Sequence, residues 1–388
     1  MPRLAQPSRF ARTAFPILFA AALLASSCSR QAPLSPSAAA EDAVPEVDLT
    51  VLKRIESGAR MPASASDDDR GRHVVFLPAG STDALATAIA TVGPRGTVVL
   101  RAGVHHESGP VEIGIPVSIL GEPGAVLESA VPTWPVASPT IQAALWVRSP
   151  GFTLRGVEMR PAGGLGGTAL LLQGSAGAAV FQNNIHDFQF GVLVQQSDRV
   201  RIFDNRVAVT PAWLSDPTVP EADGIINING VGAIIARNQV SNGTFGIFCC
   251  DRGGLAFANR TTNNAVGLIL CRVPYEALTL PDGVAVGAET SATGWLAQAN
   301  VSFGNFTTGI LIIDGANQNR VISNDSHDNG GYAVEFTTDT FRFGFLTPAA
   351  FNNVFVAGAF PNIQVKDCGV GNRIVGGHLV DNSVEPCN

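Results

Sequence analysis

The stretch FGIFCCDRGGLAFANRTTNNAVGLILC, from Phe245 to Cys271, carries one pattern twice. Gly246 opens one short apolar run and Gly267 opens another, and each run meets a cysteine four residues on, Cys250 and Cys271. The same sentence recurs along the chain as an asparagine followed by a glycine and an apolar run. The pairs are Asn183 with Gly191, Asn238 with Gly246, Asn259 with Gly267, Asn300 with Gly309 and Asn324 with Gly331. Asn205 belongs to the series, with its glycine delayed to Gly224. Successive asparagines stand 22, 33, 21, 41 and 24 residues apart, a period of 21 to 24 with two insertions.

A period of this length, filled by strands of three to five residues, is too short for helical crossovers and defines a solenoid. The leucine spacing of a leucine-rich repeat is absent, and one coil of a parallel β-helix fits better. Coils then stack at about 4.8 Å, so equivalent residues lie on one another. Asparagines at one corner can pass amide hydrogen bonds up the stack. Glycine suits a corner where a side chain would clash or φ is positive. The segment DALATAIATVG predicts a helix with Leu85, Ala88, Ile89 and Val92 on one face, placed to cover the open edge of the first coil.

The opening DALATAIATVGPRGTVVLRAGVHHESGPVEI and the repeats after it resemble the right-handed parallel β-helix superfamily over about residues 73–385. Pectin lyases, polygalacturonases, alginate epimerases and periplasmic NosD-type proteins belong to it. The resemblance implies an all-β fold, a right-handed single-stranded parallel β-helix with an N-terminal capping helix. It implies an extended polysaccharide or oligosaccharide as partner, and no cofactor, or calcium if the chain is a lyase. The paired aspartates, Gly-His-Gly and Arg-Ile-Lys of polygalacturonases are absent, as is the Asp-Pro-His of alginate epimerases, so activity stays open. A NosD-like role would call for histidine and methionine clusters suited to copper, which are also absent.

Residues 1–28 read as an export signal: Arg3, Arg9 and Arg12 precede the apolar run Phe15 to Ala25. The run ends in ASSC, which resembles the lipobox of bacterial lipoproteins, with Cys28 as the lipidated residue. Ser29 then favours the outer membrane by that family's sorting rule, with the protein periplasmic or surface-facing and held to the membrane by its N-terminal lipid. Ordinary secretion is the alternative. Residues 29–72, rich in Ser, Ala, Pro and Asp, read as a flexible tether. Net charge is -7 and lysine is scarce, which argues against a nucleic-acid partner. Oligomeric state is not legible.

Export permits disulfides. Cys250 and Cys271 occupy equivalent places in neighbouring coils, and Cys368 with Cys387 can staple the C-terminal end, leaving Cys249 unpaired and facing the core. Aligned on the glycine, the first and third residues after it face inward. The second face outward as an apolar row: Leu193, Ile226, Phe248, Ile269, Leu311 and Ala333. Insertions near 210–223, 272–293 and 338–349 would wall a groove over that row. Phe248 on the floor and Trp213, Tyr275 and Phe343 in the walls could stack on sugars, with Arg252, Glu289 and Glu335 as polar contacts. Asp223, Asp251, Arg272 and Asp314 are the candidate catalytic groups, because a lyase needs a base beside a cation and a glycosidase needs two carboxylates. His186 and His327 lie in turns, His327 beside Asp328 and Asp339 near the third insertion. Three readings follow: a polysaccharide binder in the walled groove, a lyase or hydrolase using the same groove, or a structural or partner-binding envelope protein.

Overall fold

The computed structural model describes residues 73–134, 140–216, 218–219, 221–272, 279–284, 291–342, 345–358 and 363–387. The signal, Cys28 and the tether lie outside the described residues, as do Tyr275, Glu289 and Phe343. Among the described residues, no helix is long and apolar enough to cross a membrane.

The chain winds into three long sheets, in each of which every strand pairs in parallel with the strand one coil before and after. One sheet has twelve strands, from Val74–Leu77 to Arg373–Val375. A second has nine, from Gly103–Glu107 to Asp325–His327. The third has eleven, from Val111–Ile113 to His378–Leu379. A helix at Leu85–Val92 buries Leu85, Ala88, Ile89 and Val92 in the main core, as its pattern predicts. Inside the coils, the predicted inward residues Val192, Val194, Ile247, Leu268, Leu270, Ile310 and Ile312 are almost wholly buried.

Six successive coils are closed at the corner between the twelve- and nine-stranded sheets by an asparagine. Asn183, Asn205, Asn238, Asn259, Asn300 and Asn324 form one continuous ladder. In each step the side-chain oxygen accepts from both the backbone N–H and the side-chain amide of the asparagine one coil earlier, as where Asn259 Oδ1 takes Asn238 N and Nδ2, both at 3.0 Å. The residue before each of them, Gln182, Asp204, Arg237, Ala258, Ala299 or Ser323, is left-handed, with φ between 52° and 58°. Left-handed backbone costs a non-glycine residue about 1 kcal/mol or more. The stacked amides hold it by satisfying buried groups that would otherwise stand alone.

Two further ladders were not anticipated. Asn264, Asn305 and Asn329 form one, and Asn319, Asn353 and Asn372 form the other. Each member of the first lies five residues after a member of the main ladder, a second register visible in the sequence. The repeat glycines are explained by a clash. A Cβ on Gly267 would stand 2.0 Å from Ser302 Oγ and 2.6 Å from the Gly309 carbonyl, and one on Gly309 would stand 2.0 Å from Ser326 Oγ.

The alignment at the last repeat needs correction. Ile310 pairs with Val334 and Leu311 with Glu335, so Ala333 takes the rung place of Gly309, and Glu335, not Ala333, continues the outward row. The asparagine-to-glycine spacing holds the reason. It is nine residues from Asn300 to Gly309 and nine from Asn324 to Ala333, whereas Gly331 falls two short.

Asn259→Ala removes an acceptor from Asn238 and donors to Ile235 O and Asn300 Oδ1. Several buried groups lose their partners at once, so the variant should be destabilised by roughly 2–4 kcal/mol. Urea unfolding followed by circular dichroism measures this.

Candidate functional site

The outward row of the eleven-stranded sheet runs Trp146, Leu171, Leu193, Ile226, Phe248, Ile269, Leu311, Glu335, rung upon rung. Its middle is not open. Leu171, Leu193, Ile226, Phe248 and Ile269 are each at most 3% exposed. They belong to a second apolar cluster, outside the coils, that also takes in Trp134, Ile141 and Leu280. Those three residues come from two loops that reach over the face from opposite edges, one joining Ala125–Ser129 to Ala143–Val147 and one following Cys271. The loops meet: Ile141 N donates to Thr279 O at 2.8 Å, and the two threonine hydroxyls, Thr140 and Thr279, stand 3.1 Å apart. Further bonds pin them to the sheet. Gln189 Oε1 accepts from Trp134 N at 2.7 Å, and Gln173 Nε2 donates to Asp282 Oδ2 at 2.8 Å. The chain itself therefore roofs the predicted groove floor. The loop carrying Trp134 was missed as an insertion; its length beyond one coil was the available signal.

Phe248, expected to face a ligand, lies wholly under this cover. The predicted disulfide between Cys250 and Cys271 is present within the same cluster, joining adjacent rungs with Cα atoms 4.9 Å apart. Cys368 and Cys387 are also joined, and Cys249 is free and buried. Burial, and then the neighbouring Asp251, pushes the Cys249 thiol well up, so it is an inert core residue.

The candidate carboxylates are not gathered on one open surface. Asp251 is two residues beyond Cys249, and strand alternation turns it into the coil with Ile247 and Cys249. It is fully buried, and Asn227 Nδ2 donates to its Oδ2 at 2.6 Å. The Trp295 indole N–H donates to its backbone carbonyl at 3.2 Å. Its Oδ1 and the Asn227 Oδ1 have no hydrogen-bond partner among the described residues. Burial dominates and pushes the Asp251 carboxyl well above the usual carboxylate range, against the lowering effect of its hydrogen bonds. The core thus holds the Asp251 proton to higher pH than a free carboxyl would keep it. The expectation that it faces a substrate is corrected: the fifth residue after the glycine shares the parity of the first and third.

Asp223 is also buried, its Oδ1 accepting from Phe245 N at 3.0 Å. Asp314 is 2% exposed and left-handed, at φ 57°. Arg252, at the end of its strand, and Arg272, just beyond the next, are exposed. Glu335 is half-buried and accepts from Thr308 Oγ1 at 2.9 Å. Trp213 is half-buried; its indole donates to Asn242 O at 2.7 Å and its ring meets Phe306 edge-on, so it fastens its own loop. Asp339 accepts from Ala349 N within the third insertion, which folds as an antiparallel hairpin, Thr340–Arg342 with Phe345–Thr347.

The nine-stranded sheet is different: its outward side chains are exposed or half-exposed along the whole stack. At one end His106, Glu128, Arg160, Glu158, His186 and Asp187 form a connected ion-pair network. Next come Arg206, Gln239 and Arg260 in one outward column, and the small residues Ala208, Ser241 and Thr262 in the other. Arg260 lies over the Phe303 ring at 4.3 Å, and that ring stacks on His327 at 5.4 Å, with His327 held by Asp328. Among the described residues, no group of three or more His, Cys, Asp or Glu is placed to hold a metal ion.

No protein-family model matches the chain, and neither does any curated protein. Solved structures do. The A-module of the mannuronan C-5 epimerase AlgE6 of Azotobacter vinelandii aligns at TM-score 0.51 and 15% identity, covering 81% of this chain and 94% of that one. The AlgE4 A-module of the same organism aligns at 0.48 and 15%, covering 81% and 96%. A polygalacturonase of Erwinia carotovora aligns at 0.45 and 11%, covering 80% and 96%. At such identities the likeness defines the fold: this is a right-handed parallel β-helix.

The buried Asp251 sets a pH dependence. Its folded pKa is raised, so the folded state keeps a proton that the unfolded chain loses above about pH 4. Stability contributed by this group is complete below that value and falls as pH rises through the window up to the folded pKa. Asp251→Asn should flatten the slope and be more stable than the parent at pH 8. Urea unfolding at pH 4, 6 and 8 tests both parts.

Proposed function

We propose that the protein is an exported, lipid-anchored β-helix that binds an extended polysaccharide along the open outer face of the nine-stranded sheet. The observation that supports this most is the contrast between faces. The eleven-stranded face is roofed by its own loops, whereas the nine-stranded face presents uncovered polar side chains at every rung but the Val301–Phe303 strand. Rungs repeat at about 4.8 Å, close to the length of one sugar ring in an extended glycan. Arg206, Gln239 and Arg260 offer hydrogen-bond donors at successive rungs, and Ala208, Ser241 and Thr262 leave a shallow trough beside them. Glycan hydroxyls and carboxylates suit such donors, and guanidinium groups bind carboxylates in a bidentate manner. The AlgE6 module acts, by its name, on mannuronan, and a polysaccharide ligand is carried over from it as part of the proposal.

Binding is favoured over catalysis because the candidate acids Asp223, Asp251 and Asp314 are all buried. The roof also fits the third reading, a structural or partner-binding envelope protein, and one experiment separates the three. Full-length protein in mild detergent is passed over a panel of immobilised neutral and acidic polysaccharides, and each polymer is assayed for new unsaturated or reducing ends. Retention without new ends is expected, and the double variant Arg206→Ser/Arg260→Ser should weaken it at least about 10-fold. New ends would replace the binding reading with an enzyme. No retention of any polymer would leave the structural reading in its place.

A further inference from the structure

The two ends of the solenoid are finished differently. At the first coil the helix Leu85–Val92 lies over the interior and is buried against it. The last coil has no such cover among the described residues, and the inward columns show it. In the twelve-stranded sheet one inward column runs Ile235, Ala256, Ala297, Val321, Phe355, Ile374. All are fully buried up to Phe355, whereas Ile374, packed on the core, is only half-buried. In the eleven-stranded sheet an inward column runs Ile247, Leu268, Ile310, Val334, Val365, Leu379. All are at most 1% exposed up to Val365, whereas Leu379 is 54% exposed. Strand parity gives Ile374 and Leu379 core positions, and no further coil lies on them.

The backbone is open at the same place. Arg373–Val375 and His378–Leu379 are the last strands of their sheets and pair on one side only. Arg373 N donates to Asn353 O at 2.8 Å and Val375 O accepts from Ala357 N at 2.9 Å, so both residues face back down the stack. Ile374, between them, turns its N–H and carbonyl the other way. His378 N and Val380 N are bound to Ile363 O and Val365 O, which leaves Leu379 turned away from the stack in the same manner. The chain's own tail does not cross this end. Cys387 is joined to Cys368, Tyr332 OH donates to Glu385 Oε2 at 2.6 Å, and Lys366 donates to the Glu385 carbonyl. Lys366 follows Glu335 in the outward row, so these bonds hold the tail on the outer side of the eleven-stranded sheet.

An occupant must bring both apolar surface and backbone groups in need of partners. A bilayer brings only the first and would leave the Ile374 and Leu379 amides unsatisfied. A highly charged partner finds little to meet, since Arg373 is the sole charged side chain from Gly369 to Val380 at neutral pH. A second copy meets both demands. A two-fold axis through Ile374 lays Arg373–Val375 antiparallel to its copy, with Ile374 opposite itself and exchanging both backbone hydrogen bonds. Inward residues then meet inward residues, and two cores become one. The helix over the first coil blocks the other end, so association closes at two chains and does not grow into a filament.

We propose that the protein dimerises end to end through its last coil, the Arg373–Val375 strands of the two copies pairing as antiparallel edges. The proposal does not rest on carbohydrate binding, and it holds or fails whatever the polysaccharide panel shows.

Full-length protein in density-matched detergent is followed by sedimentation over a range of concentrations. A concentration-dependent monomer–dimer equilibrium is expected. Leu379→Glu puts a carboxylate into the joined core and should weaken the dimer at least about 10-fold, with circular dichroism unchanged. Ile374→Glu is the second variant should the first misfold. Ile374→Cys should give a disulfide-linked dimer on mild oxidation, because self-opposed Cα atoms in such a pair stand about 5.5 Å apart. Phe76→Cys, at an exposed site in the first coil, should not, which separates docking from two chains sharing one micelle. A monomer at every concentration overturns the proposal, as does a dimer that both glutamate substitutions leave intact. Equal cross-linking at positions 76 and 374, or oligomers that lengthen with concentration, overturn it too.

Discussion

The structure depends on one demand: a polar backbone turned through a buried corner must find hydrogen-bond partners without water. Asparagine meets it because its side chain both donates and accepts in one plane. Stacked in register, each amide serves the backbone of the adjacent coil and is served in turn, so six corners become one ladder. The ladder then sets everything measured from it. It admits left-handed residues as unlikely as Ala258 and Ala299. It aligns the strands that follow, and so it decides which side chains line the interior and which face outward. Energy is local to neighbouring coils, as in other solenoids, but the register it imposes is global.

Given that register, the three outer faces differ only in what the strands place on them and what covers them. The eleven-stranded face is apolar and covered by two loops of the chain, which convert a would-be floor into a second core. The nine-stranded face mixes charged, amide and small side chains and stays open. The twelve-stranded face carries a small apolar cluster whose centre, Leu255 and Leu296, is buried, with arginines at its margins. One solenoid thus supports a buried, a polar and an amphipathic surface. The proposed glycan site follows from that division, on the polar face.

Much of this was legible beforehand for a physical reason. Repetition makes spacing informative: Asn238, Asn259 and Asn300 announce the coil, Gly246 and Gly267 align it, and Cys250 and Cys271 fall on neighbouring rungs. Where repetition breaks, the reading failed. Gly331 sits two residues before the rung place that Ala333 takes, and a row drawn through it missed Glu335. Asp251 obeyed the alternation, but its carboxylate chemistry suggested an outward role, and only the partnership with Asn227 inside the coil shows how a carboxyl group is held there.

Sequence by itself determined the coil, its corners, its inward residues and its disulfides, because each is a relation between positions one period apart. Tertiary structure alone decided which face is open. The loop with Trp134 and the loop with Leu280 meet over strands far from both in sequence, and no periodic signal records where an insertion comes to rest. A side chain's parity can be read from its strand; its access to solvent is settled by whatever else the chain lays upon it.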